Sequence, residues 1–77
     1  MKEKYIEERI PRWMIFGEHE DGFVDIVDCS PSNGDVVNHV SREIAQQMIE
    51  ARGRYVDSMV AYWMARPEEW LAKVAYE

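Results

Sequence analysis

Three groups of side chains are of a kind that could do chemistry. The first is Glu18-His19-Glu20-Asp21, a run of potential metal ligands. A metal ion needs ligands that converge on one point. Consecutive residues at a turn diverge, so a solvated turn is expected here and no metal centre. The second is Asp25 and Asp28, a candidate carboxylate pair. Their strand parity is opposite, which places them on different faces and argues against a general acid and base working together. One of them can point inward, and Arg52 would then be its natural partner, because a buried charge left unpaired is costly. The plainer expectation is that Arg52 extends its stem to reach solvent. The third is Cys29 with His39, a possible nucleophile and base on neighbouring strands. No third group orients them and no Gly-rich oxyanion turn follows. Cys29 is therefore expected to act as a small hydrophobe at a strand end. No phosphate loop, zinc-protease motif or nucleophile elbow is found. The expectation is a protein without catalytic residues, cofactor or metal.

Charge is the more telling feature. The chain carries 15 acids against 9 bases, a formal net charge of −6. Between Arg12 and Arg42 there are six acids, Glu18, Glu20, Asp21, Asp25, Asp28 and Asp35, and no lysine or arginine. Elsewhere nine acids face nine bases, so one segment holds the whole imbalance. That acidity opposes direct nucleic-acid binding, which needs a basic footprint. It favours association with a basic protein surface, including one that itself binds nucleic acid. The acids do not form a regular phosphate-like row, since Asp21 and Asp25 are four apart and Asp28 lies on the other face.

The elements that position these groups follow from periodicity. Residues 1–11 read as a charged arm or loop, closed by Pro11, which disfavours helix at Ile10. Residues 12–40 read as a three-stranded antiparallel meander, because the connections are too short for parallel crossovers. In the first strand Trp13 and Ile15 share one face, Met14 and Phe16 the other. Asp21-Gly22 and Asn33-Gly34 supply the hairpin turns. Ser41 is placed to cap a long helix over 41–66, with Glu43 in its first turn. Ile44, Ala45, Met48, Ile49, Tyr55, Val56, Met59, Val60 and Trp63 follow helical spacing. Gly53 costs about 1 kcal/mol in a helix, so a kink or break is expected there. Pro67-Glu68-Glu69 opens a last helix over 67–76. The expected fold class is α+β, in the order β-β-β-α-α, with helices on one face of a small sheet.

Seventy-seven residues make one small domain, and a core of this size supplies only about 3–5 kcal/mol. The lone Cys29 gives no internal disulfide. Trp13, Met14, Phe16, Tyr62, Trp63, Met64, Trp70 and Tyr76 are many large groups for so small a sheet. A bare sheet face would need a second chain over it, and a homodimer is the common solution. The charged N-terminal sequence has no apolar run, so no secretory signal is expected, no stretch is long enough to span a membrane, and the expected location is the cytoplasm.

Residues 22–60 resemble a large group of small phage- and prophage-encoded proteins. The similarity lies in Asp21-Gly22-Phe23-Val24-Asp25-Ile26-Val27, Gly34-Asp35-Val36-Val37-Asn38-His39-Val40, Ser41, and Ala45-Gln46-Gln47-Met48-Ile49-Glu50-Ala51. It covers about half the chain. The group often has proline where this chain has Gly53. The resemblance implies a phage origin, and small acidic phage proteins are often inhibitors of host defence, anti-CRISPR proteins among them. The expected role is then to bind and block a host macromolecule. The concrete version is a basic, nucleic-acid-binding surface of a CRISPR effector complex in the host cytoplasm. Glu18, Glu20, Asp21, Asp25, Asp28, Asp35, Trp13 and Phe16 would form the partner-binding set. The alternative is a homodimeric structural or assembly protein.

Overall fold

A computed structural model describes residues 3–29 and 35–75. The elements run α1 (Glu3–Glu7), β1 (Trp13–Glu18), β2 (Phe23–Asp28), β3 (Val36–Ser41), α2 (Arg42–Met64) and α3 (Pro67–Ala75). The strands form one antiparallel sheet in the order β1-β2-β3. This is the expected α+β meander followed by two helices. The Ser30-Pro31-Ser32-Asn33-Gly34 turn and Tyr76 lie outside the described residues.

Period-two patterning decides which sheet face is covered. Val24, Ile26 and Ala45 are buried together, with Trp13, Ile15, Val40, Met48 and Ile49 packed around them. Trp13 and Ile15 thus lie on the helix side, as their parity predicts. Ser41 ends β3 and caps α2: its hydroxyl accepts from the Ile44 N–H at 3.4 Å.

α2 runs as one helix through Gly53, so the expected break does not occur. The glycine penalty of about 1 kcal/mol is outweighed by the residues that follow. Val56 and Val60 are buried beyond it, each worth about 1.5–3 kcal/mol. Arg52 also holds this turn in place. Its Nε donates to the Pro11 carbonyl at 2.8 Å, and its guanidinium lies 4.8 Å from the Trp13 ring centroid and 5.2 Å from that of Tyr55. Arg52 therefore neither pairs with a β2 aspartate nor simply extends to solvent. It clamps the start of β1 to the middle of α2.

The segment expected as loop or arm contains the short helix α1. One turn of helix has little stability of its own. Burial supplies it: Ile6 is fully buried with Val56, Val60 and Trp70, and Ile10, Trp63 and Val74 pack against them. Arg12 ties this end together, reaching Glu7 at 2.9 Å and Asp57 at 2.6 Å.

The molecule therefore has two cores strung along one helix. The sheet core occupies the first half of α2, and the cluster with α1 and α3 occupies the second. α2 has 23 residues, about 35 Å of helix, while six-residue strands span only about 20 Å. The overhang makes the protein long, 47 × 22 × 17 Å, with a radius of gyration of 14.5 Å. A compact chain of this length would have about 11.5 Å. None of the described helices is long and apolar enough to cross a membrane.

Candidate functional site

The sheet face away from α2 holds the most concentrated polar chemistry of the described residues. Regular alternation in β2 puts Phe23, Asp25 and Val27 on this face. Met14 pairs with Val27 and His39 with Asp25, and cross-strand partners share a face. Among the described helices only α2 packs on the sheet, from the other side. Phe16 is 70% exposed and Met14 46%.

A bulge and a tight turn aim the polar groups. Between Ile15↔Ile26 and Glu18↔Val24, β1 carries one extra residue, so Phe16 and Gly17 together oppose Asp25. Gly17 has φ +144°, in the region that side chains avoid. A Cβ built on it would lie 3.9 Å from Asp25 Oδ2, an ordinary contact. The glycine is required by its backbone and not by crowding. Gly17→Ala is expected to destabilise by about 1–3 kcal/mol, read as a lower urea midpoint. An unchanged midpoint would show that the bulge relaxes freely.

Past the bulge the chain turns tightly. His19 N–H donates to the Phe23 carbonyl at 2.9 Å, and Gly22 N–H to the His19 carbonyl at 3.1 Å. Asp21 Oδ1 accepts from the Phe23 N–H at 2.9 Å, an Asx-turn. Gly22, at φ +84°, completes the turn. The hairpin thereby folds His19 back over Asp25.

The result is a convergent cluster. His19 Nε2 lies 3.0 Å from Asp25 Oδ2. His39 Nδ1 lies 2.9 Å from Asp25 Oδ1, and its Nε2 lies 3.4 Å from Asp21 Oδ2. The two imidazoles meet edge to face with centroids 4.7 Å apart, and Phe23 lies 5.3 Å from the His39 ring. One ligand atom from each of His19, Asp25 and His39 falls within 4.8 Å of the others. Two imidazole nitrogens and a carboxylate oxygen are a donor set for a divalent transition metal.

The electrostatics are mutually supporting. Hydrogen bonding to Asp25, and then to Asp21, raises the His39 pKa above its ordinary 6.5. Hydrogen bonds from His19 and His39 hold Asp25 below 3.8. The Phe23 N–H, then His39, lowers Asp21 likewise. The raised His39 stabilises the fold fully below pH 6.5 and loses that contribution as pH rises through its folded-state value. The lowered carboxylates contribute above pH 3.8 and lose it as pH falls through theirs. Both contributions coexist between those limits. An NMR titration of His39 is expected to give a midpoint above 6.5 that falls in Asp25→Asn. A midpoint that does not move on that substitution would contradict the pairing.

The expected partner-binding set is divided by the fold. Phe16, Glu20, Asp21 and Asp25 gather on the open face and hairpin tip. The bulge turns Glu18 to the helix side, where it pairs with Arg42. Trp13 lies on the inner face beside Arg52. Asp28 and Asp35 sit at the far end of β2 and the start of β3, joined by a backbone bond of 3.2 Å. Cys29 is exposed. It lies four residues along the chain from Asp25, the cross-strand partner of His39, or about 13 Å. That separation argues against a Cys29–His39 dyad. Of the turn run Glu18–Asp21, His19 joins Asp25 and His39 in one grouping, and that grouping is not visible in the sequence.

Comparison with protein-family models, with curated proteins and with solved structures finds no match to this chain.

Proposed function

We propose that the chain is a non-enzymatic binding protein whose open sheet face and acidic hairpin tip dock on a basic protein surface. The observation that carries this reading is the gathering of Glu20, Asp21 and Asp25 with exposed Phe16 on a face that none of the described helices covers. Segregated charge steers association, and an exposed aromatic ring offers an anchor for affinity. The resemblance to small phage proteins directs the proposal to a host target. Its concrete form is an inhibitor of a CRISPR effector complex that occupies a nucleic-acid-binding surface.

The test is inhibition of purified effector complexes by the protein, with Glu20→Lys and Phe16→Ala combined in one variant. Both positions are exposed and contribute nothing to either core. The folded variant is expected to bind at least tenfold more weakly and to lose most of the salt dependence of association. Undiminished inhibition by that variant would remove the open face from the interface. A second reading is a homodimer that covers its own apolar surface. Tyr55, Val36 and Leu71 are 49–60% exposed, and light scattering at low micromolar concentration is the direct check.

A further inference from the structure

We propose that His19, Asp25 and His39 form a binding site for one divalent transition-metal ion of the zinc type, with Asp21 orienting His39 from behind.

The fold brings the donors of such a site together from three separate elements. Both histidines in the chain turn a ring nitrogen toward the same carboxylate, at 3.0 and 2.9 Å. Tetrahedral zinc with bonds of about 2.0–2.1 Å holds its ligand atoms about 3.3 Å apart. The three donors all lie within 4.8 Å of one another, so binding asks each to close by about an ångström. Asp25 is three-quarters buried, so its carboxylate is held by its surroundings.

Asp21 gives the arrangement its direction. If His39 ligates through Nδ1, its Nε2–H faces Asp21 Oδ2 at 3.4 Å. Metal-bound histidines characteristically donate their second ring N–H to a carboxylate, which fixes the tautomer and raises ligand basicity. The Asx-turn bond from Phe23 N–H to Asp21 Oδ1 fixes that carboxylate in turn. The hairpin places His19 and the supporting Asp21, β2 places Asp25 and β3 places His39.

The donor types select the metal. Imidazole suits zinc, cobalt, nickel and copper, whereas calcium and magnesium require oxygen ligands. Three protein ligands leave a fourth position toward solvent on the open face. Water can fill it, or a side chain of a docked protein. Metal binding does not depend on the docking reading above and is tested separately from it.

The experiment is calorimetric titration of the untagged full chain with Zn2+, with Mg2+ and Ca2+ as controls. One Zn2+ per chain is expected, with no saturable binding of the controls. Asp25→Asn and His39→Gln are each expected to weaken Zn2+ binding at least tenfold. Asp21→Asn keeps an oxygen acceptor for the Phe23 amide but removes the charge. It is expected to lower affinity by about tenfold while Phe23 amide protection stays unchanged. Cys29→Ser is expected to bind as the parent does. Undiminished binding by Asp25→Asn and His39→Gln, loss of binding in Cys29→Ser, or one ion per two chains would each overturn the proposal. If the variants unfold, the parent protein decides through its imidazole 15N shifts on adding Zn2+. Movement of His39 Nδ1 and His19 Nε2 supports the site, and unmoved shifts overturn it.

Discussion

Trp70→Ala is expected to destabilise the protein by about 3–5 kcal/mol, which is about the whole stability of a domain this small. Trp70 is only 3% exposed and belongs to the cluster of Ile6, Val56 and Val60. Its ring lies 5.4 Å from that of Trp63. It is the one fully packed side chain through which α3 joins this core. Without it α3 loses its anchor, and α1, which depends on Ile6 in the same cluster, loses a wall. The sheet core shares no buried residue with this cluster. Hydrogen exchange in Trp70→Ala is therefore expected to quicken most in α1, α3 and the last turns of α2. Uniform quickening across β2 as well would mean that the two cores unfold as one unit.

Ile26→Ala is expected to cost about 2–5 kcal/mol. Ile26 is fully buried at the centre of the middle strand, beneath α2. Its backbone pairs with Ile15 on one side and Asn38 on the other. Asp25 is its neighbour on the opposite face. A cavity at Ile26 therefore loosens the strand that carries the shared carboxylate of the histidine cluster. Urea melts should show the lost stability, and the His19 and His39 imidazole resonances should shift with it. A full loss of stability with unmoved histidine resonances below the midpoint would show that the open face is insulated from the core.

The parts of this fold legible in the sequence are those set by local period. Trp13 and Ile15 against Met14 and Phe16, Val24 and Ile26 against Phe23 and Asp25, and the Ser41 cap all follow from alternation and capping preference. What escaped depends on tertiary partners. α1 forms because Ile6 finds Val56, Val60 and Trp70, which lie at least fifty residues away in sequence. Gly53 stays helical because Arg52 grips Pro11 and two aromatic rings. The histidine cluster was hidden by register. Alternation places residues on a face but does not by itself fix which residue of β3 stands opposite Asp25. The observed partner of His39 is Asp25. The extra residue in β1 then decides that Glu18 leaves the open face while His19 returns to it. That bulge has no strong signature beyond Gly17 itself.

The length of α2 has a hydrodynamic consequence. A particle more than twice as long as it is wide tumbles and diffuses more slowly than a sphere of 9.1 kDa. A single copy of this chain should elute from a sizing column slightly ahead of compact proteins of equal mass, by less than a doubling of mass would give. Its rotational diffusion should be anisotropic, so amides whose N–H bonds lie along the long axis relax differently from those that lie across it. Mass by scattering and shape by relaxation then separate one elongated copy from two compact partners.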